Sequence, residues 1–112
     1  MDDRSQHSLS QEQKLQREYE VLQTELQEAL TAGVIMQGSA VLQRYKRKTK
    51  SGIKECGPYH LWTRKVQGKT VTVSITKEQY RKIRGAIAVR RKIDELLKKM
   101  QQISQQIILK SH

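Results

Sequence analysis

The stretch KTVTVSITKEQY, residues 69–80, decides the fold because its periodicity changes in the middle. Its first half alternates Val71, Val73 and Ile75 with Thr and Ser, which predicts a β-strand with one buried face. Its second half places Thr76 and Gln79 at the spacing of a capping box, which predicts a helix from Lys77 onward. A strand that runs directly into a long helix indicates an α+β fold.

Two further strands are predicted upstream of this stretch. Residues 59–64 alternate in the same way, and Gln67-Gly68 lies between the two runs, where a tight hairpin needs positive φ. An earlier strand is predicted from Ala40 to Lys46, followed by a basic loop over 47–52 and a turn at Gly57-Pro58. The three strands together form an antiparallel meander, which is about the minimum for an independently stable sheet.

An acidic amphipathic helix is predicted before the sheet. Ser10 and Gln13 have capping-box spacing, so the helix is expected to begin near Ser10, after a disordered tail over 1–9. Gly33 is the predicted stop, which gives a helix over about 10–32. Its apolar stripe, at steps of three and four, consists of Leu15, Tyr19, Leu22, Leu26 and Leu30.

The C-terminal helix is predicted to have two apolar faces. Tyr80, Ile83 and Ile87 fall on one face, which is expected to pack on the sheet. The second face follows a heptad pattern through Val89, Ile93, Leu96, Met100, Ile103 and Ile107. This pattern predicts an antiparallel coiled coil with the N-terminal helix within one domain, residues 10–112, although a homodimer through the same residues is equally compatible.

The charge of the chain indicates a polyanionic partner. Its 112 residues include 22 Lys and Arg against 11 Asp and Glu, a net charge of +11, which exceeds what solubility requires. Residues 1–32 hold seven acids and three bases, whereas residues 33–112 hold nineteen bases and four acids. The lone Cys56 excludes an internal disulfide. Because no N-terminal apolar run is present, we expect a cytoplasmic protein without a membrane partner.

Two groups of cations are the candidate binding residues, because each cation can neutralise a phosphate. The first group covers the predicted basic loop and the hairpin: Arg44, Lys46, Arg47, Lys48, Lys50, Lys54, Arg64, Lys65 and Lys69. The second forms a ridge on the C-terminal helix: Lys77, Arg81, Arg84, Arg91 and Lys98. For both groups the alternative interpretation is a charged surface that serves only solubility.

The aromatic residues are few and lie among these cations. Since the chain contains no Phe, Tyr59 and Tyr80 are expected to fill the core between sheet and helix. Trp62 shares a strand face with His60, opposite Tyr59, and is therefore the candidate for stacking on a base.

No set of residues suggests catalysis. Asp94 and Glu95 are adjacent on a helix and point apart, and the three histidines are scattered in sequence. Cys56 has neither a nearby His nor a second Cys to form a zinc site or a nucleophile. We therefore expect no enzymatic activity, no cofactor and no metal.

The motifs around Gly57-Pro58-Tyr59 and Gly68-Lys69-Thr70, with the long helix that follows, resemble those of a family of small basic bacterial proteins often encoded near transposases. The resemblance covers about 38–97. Many members of that family carry a cysteine-rich knuckle before the GPY motif, where this chain keeps only Cys56. The resemblance implies a mobile-element setting and supplies no catalytic residue.

The sequence therefore predicts a non-enzymatic nucleic-acid-binding protein, with RNA favoured, acting as an accessory subunit of a mobile-element nucleoprotein complex. One alternative is a DNA-binding transposition cofactor or repressor. Another is a protein–protein adaptor that binds a larger protein through its helical seam.

Overall fold

The described residues form two helices and one antiparallel sheet. A computed structural model describes the backbone of residues 3–110 and the side chains of residues 11–109. The elements are α1 (Asp3–Thr31), β1 (Ser39–Thr49), β2 (Gly52–Val66), β3 (Lys69–Ser74) and α2 (Lys77–Lys110). The strands are ordered β1-β2-β3, and both neighbouring pairs are antiparallel. The predicted α+β fold class, with a helix on either side of a three-stranded meander, is confirmed.

The described elements fall into two compact units. The helical unit consists of residues 1–34 and 91–112, and therefore of α1 with the second half of α2. The sheet unit consists of residues 35–90, and therefore of the three strands with the first half of α2. Helix α2 thus supplies its first half to one core and its second half to the other.

The core of the helical unit is built on the predicted heptad positions. Ile93, Leu96 and Met100 of α2 are buried, and Leu96 is only 1% exposed. Ala29 of α1 is buried in the same unit. Burial of this seam inside one chain accounts for the heptad spacing. The coiled-coil geometry of the two helices stays a prediction.

Helix α1 begins earlier than its capping signal indicated. It starts at Asp3 rather than near Ser10, and it ends at Thr31, two residues before the predicted stop at Gly33. Residues 3–10 contain neither Gly nor Pro, so nothing in them interrupts a helix, and Ser is tolerated in a helix at modest cost. Residues 1 and 2 of the predicted tail lie outside the described residues.

Helix α2 begins where the capping box predicted. The Gln79 N–H donates to Thr76 Oγ1 at 3.0 Å, and the Thr76 N–H donates to Gln79 Oε1 at 2.9 Å. This exchange satisfies two backbone donors that a helix start leaves unpaired. In the following turns Ala86 and Ile87 are buried, at 4% and 5% exposed, and form the core of the sheet unit.

The hairpin between β2 and β3 also follows the prediction. Gln67 and Gly68 both have positive φ, 51° and 81°, as a two-residue turn of type I′ requires. The turn sets the register Val66 to Lys69, so Arg64 lies opposite Val71, and Trp62 opposite Val73.

The connection between β1 and β2 differs from the predicted basic loop. The two strands pair as far as Thr49 and Gly52, which leaves only residues 50–51 as the turn. The Thr49 hydroxyl donates to the Gly52 carbonyl oxygen at 2.8 Å and closes this turn. The prediction of a loop over 47–52 is therefore wrong, because a solvent-exposed two-stranded ribbon needs no alternating apolar pattern.

Gly38 lies against the backbone of β2 and tolerates no side chain. Its φ is +97°, and a Cβ atom there would clash with the carbonyl oxygen of Thr63. We expect Gly38→Ala to lower the free energy of unfolding by about 2–4 kcal/mol, because it adds a backbone clash to an unfavourable φ. Urea unfolding measures this difference. Gly33→Ala, where a Cβ would meet no atom within 4 Å, is the matched control, and equal midpoints for the two variants would contradict the expectation.

Candidate nucleic-acid interface

Positive charge is concentrated in the sheet unit. Residues 35–90 contain fourteen Lys and Arg against two acids, a net charge of +12, whereas the helical unit contains eight bases and nine acids. The charge boundary therefore follows the units and not simply the order of the chain, since residues 91–112 belong to the nearly neutral helical unit. A field of one sign over 56 residues attracts polyanions and repels cations.

Both acids of the sheet unit lie beside a cation of the same unit. Glu55 Oε1 is 3.8 Å from Arg44 Nη1, and Glu78 Oε1 is 3.5 Å from Lys82 Nζ. All four side chains are largely exposed, so these pairs contribute little to stability. Their effect is to leave most cations of the sheet unit without an acid of that unit to pair with.

Six cations lie on one projecting element, which we call the basic ribbon (residues 43–58). Strand β3 pairs only with Leu61–Val66, so the ribbon consists of β1 and β2 alone. Its side chains are exposed except for Cys56, which is half-buried. The structure thus brings together all the candidates of the predicted loop region: Arg44, Lys46, Arg47, Lys48, Lys50 and Lys54.

The two faces of the basic ribbon have different charges. Alternation and register place Arg44, Lys46 and Lys48 on one face together with Glu55. The other face, which we call the outer face, carries Arg47 and Lys54. No acid from residues 43–58 lies on the outer face, because Glu55 is the single acid of the ribbon.

Arg47 and Lys54 are directly opposite each other in the ladder. Like charges at directly opposing positions destabilise an antiparallel pair, so this arrangement does not serve the stability of the ribbon. Beside them is an open concavity of about 660 Å³, lined by Arg47, Lys48, Thr49, Lys50, Lys54 and Cys56. An anion bound here would relieve the repulsion between the two cations.

A β-bulge lies at the base of the ribbon. Gly57 and Pro58 stand opposite the single residue Arg44, and the register shifts between Gln43 and Tyr45. Gly57 has φ +111°, and a Cβ atom there would stand 2.7 Å from the carbonyl oxygen of Gln43. The predicted turn at Gly57-Pro58 is therefore wrong, and the two residues instead form the extra step of the bulge within β2.

The bulge places two tyrosines side by side on the outer face. The rings of Tyr45 and Tyr59 stack with centroids 5.5 Å apart and planes 12° apart, and their hydroxyl oxygens are 3.4 Å apart. The pKa of Tyr59 is raised above its ordinary value. The largest cause is this hydrogen bond, and smaller contributions come from the electrostatic interaction with Tyr45 and from desolvation. The Tyr59 hydroxyl therefore stays neutral at physiological pH. Tyr59 is 42% exposed and Tyr45 49%, so the expected burial of Tyr59 is wrong.

Trp62 lies on the opposite face of the sheet, with Val73 as its ladder neighbour. Its indole N–H donates to the Gln37 carbonyl oxygen at 2.9 Å, and the Arg64 guanidinium lies 4.2 Å from its ring centroid. Both residues are half-buried. On the same face the rings of His60 and Tyr80 are arranged edge to face, with their centroids 5.3 Å apart. Because Tyr80 belongs to α2, this face packs on α2. Trp62 and Arg64 thus pack on each other, away from the outer face.

The remaining candidates are all exposed. Lys65 and Lys69 lie on β2 and β3 near their hairpin turn. The helical ridge divides between the units: Lys77, Arg81 and Arg84 belong to the sheet unit, and Arg91 and Lys98 to the helical unit. The sheet unit therefore holds thirteen of the fifteen candidate residues.

Within the described part of the chain, no group of three or more His, Cys, Asp or Glu side chains is placed to hold a metal ion. Over the same residues, neither helix contains a window apolar enough to span a membrane.

Comparison with known proteins finds no match to a family model, to a curated protein or to a solved structure. The resemblance to the transposase-associated family stays a prediction.

Proposed function

We propose that this protein is a non-enzymatic nucleic-acid-binding protein whose basic ribbon contacts the phosphate backbone. The observation that carries the proposal is the placement of six cations on an exposed two-stranded ribbon, with Arg47 and Lys54 directly opposed. Neither feature stabilises the fold, and both favour a bound polyanion.

Further cations of the sheet unit extend this interface. Lys77, Arg81 and Arg84 are exposed on α2, and Lys65 and Lys69 on the sheet. Cations on strands and on a helix suit a ligand that follows a surface, such as a folded RNA. A two-stranded ribbon also fits the width of the major groove of B-form DNA, which supports the DNA-binding alternative.

RNA remains the favoured ligand, with Tyr45 and Tyr59 rather than Trp62 as the aromatic surface. Trp62 is held by Gln37 and Arg64, whereas the exposed tyrosine pair offers aromatic surface among cations. Aromatic side chains of this kind stack on unpaired bases, which folded RNA presents in its loops and bulges. We therefore propose an RNA-binding accessory subunit, with a mobile-element complex as its setting.

The adaptor alternative is less well supported, because three residues of its heptad seam, Ile93, Leu96 and Met100, are buried within the chain itself.

The test is binding of the purified chain, freed of co-purifying nucleic acid by high salt, to three fluorescent ligands of equal length. These are a folded RNA, a single-stranded DNA and a duplex DNA, titrated at low salt and followed by anisotropy. We expect submicromolar binding, tightest for the folded RNA. Tighter binding to duplex DNA would favour the cofactor or repressor. Failure to bind any of the three would overturn the proposal and leave the adaptor.

A further inference from the structure

The outer face of the basic ribbon holds an aromatic pair that is largely exposed to solvent. The chain has only five aromatic residues of the Tyr, Trp and Phe types, and Tyr45 and Tyr59 are each more than two fifths exposed. In a chain this poor in aromatic residues, burial in a core would be their ordinary use. Two of them instead stack on each other in solvent.

The backbone is adapted to keep both rings on that face. Tyr45 pairs with Cys56, and Gln43 pairs with Tyr59, so the two outward positions on β2 are three positions apart, whereas in a regular strand they would be two positions apart. Residue 57 is part of the β-bulge that adds this position. Its positive φ and its close contact with the Gln43 carbonyl oxygen admit only glycine. The bulge therefore re-aims Tyr59 onto the face of Tyr45.

The charges on the outer face suit the phosphates of the same ligand. Arg47 follows Tyr45 by two residues on β1, about 6.6 Å further along the strand on the same face. Lys54 stands opposite Arg47, and Glu55 lies on the other face. The Tyr59 hydroxyl, whose pKa is raised by its hydrogen bond with Tyr45, is neutral and adds no negative charge near the phosphates.

We propose that Tyr45 and Tyr59 form a stacking platform for unpaired nucleobases, with Arg47 and Lys54 on the adjoining phosphates. This inference rests on the proposed nucleic-acid binding and deepens it by naming the ligand class as single-stranded segments or loops. A paired base in a duplex is covered on both faces by its neighbours, so only an unpaired base can lie on the rings. Bases of RNA and DNA share this chemistry. Two single strands of the same base sequence, one RNA and one DNA, show whether the 2′-hydroxyl changes the affinity and so distinguish the two ligands.

The test compares Tyr45→Leu, Tyr59→Leu with the control Tyr45→Phe, Tyr59→Phe, which keeps both rings and removes only the hydroxyls. Each protein is titrated with a single-stranded oligonucleotide and with a blunt-ended, fully paired duplex that has the same number of phosphates and no loop. We expect the Leu variant to lose about tenfold or more in affinity for the single strand, and less than twofold for the duplex. The Phe variant should match the wild type within about twofold. An equal loss on both ligands, or no loss on the single strand, would overturn the platform.

A second measurement needs no variant and therefore no assumption about its folding. Wild-type protein is titrated with a single strand in which abasic sites replace the central bases, so that the phosphates are unchanged. We expect about a tenfold lower affinity than for the intact strand, and quenching of tyrosine fluorescence by the intact strand only. Equal affinity for the two strands would overturn the platform while leaving phosphate binding intact. Absence of binding to either would overturn the proposed function as well.

Discussion

The double variant Arg47→Glu, Lys54→Glu is expected to bind nucleic acid about a hundredfold more weakly than the wild type at 0.1 M salt. The two side chains are directly opposed on the outer face, and reversing them replaces two attractive contacts by two repulsive ones. The change should leave the ribbon folded, because a repulsive like-charge pair exists at this position in the wild type already. Fluorescence anisotropy with the favoured ligand measures the affinity, and circular dichroism checks the fold.

The matched control is Lys92→Glu, Lys99→Glu, which changes the net charge by the same amount. Both residues are exposed on the second half of α2, in the helical unit and outside the candidate set. We expect a loss of less than about fivefold, through the long-range field alone. An equal loss in the control would show that total charge, and not the ribbon, governs binding.

Leu96→Asp is expected to lower the free energy of unfolding by about 3–5 kcal/mol. Leu96 is 1% exposed and is the most deeply buried large side chain among the described residues. Asp there leaves a cavity and places a carboxylate in an apolar core. Urea unfolding followed by helical circular dichroism measures the loss.

The neighbouring residue provides the control. Leu97 is 48% exposed on the same helix, so Leu97→Asp makes the same chemical change one position away. We expect it to lower stability by less than about 1 kcal/mol. Equal unfolding midpoints for the two variants would contradict the assignment of Leu96 to the core.

The helices were largely predictable from the sequence because their signals are local. The capping box at Thr76 and Gln79 set the start of α2, and its heptad positions identified Ile93, Leu96 and Met100 as core residues. The start of α1 was not predictable from Ser10, since a capping residue marks where a helix can begin and does not prevent it from beginning earlier.

The basic ribbon was not predictable in the same way. Strands are recognised by alternation of apolar with polar residues, and residues 44–50 carry five cations and no such alternation. Their pairing comes from the tight turn at 50–51 and from the continuation of a strand pair that begins in the core of the sheet unit. Sequence patterns therefore identified the cations of the candidate site and placed Arg44 and Lys46 on a strand. They missed the strand conformation of Arg47, Lys48 and Lys54.

The expected burial of Tyr59 was wrong for a reason that the sequence could have exposed. Alternation showed that Tyr59 and Trp62 lie on opposite faces but not which face is buried. The two-residue turn at Gln67-Gly68 fixes the register, which places Val73 beside Trp62 and so identifies the face that packs on α2. Within the bulge, Gly57 and Pro58 were a second signal, because these residues inside a strand mark an irregularity.

The most direct test of phosphate contact by the basic ribbon is the dependence of affinity on salt. The logarithm of the association constant is measured against the logarithm of salt concentration for the wild type and for Arg47→Gln, Lys54→Gln. Each lost phosphate contact reduces the slope by about 0.7 on a single strand and about 0.9 on a duplex. We predict a wild-type slope steeper than about −3, reduced in the variant by about 1.4 to 1.8. Equal slopes for the two proteins would contradict the account, because they would show that Arg47 and Lys54 do not contact phosphate.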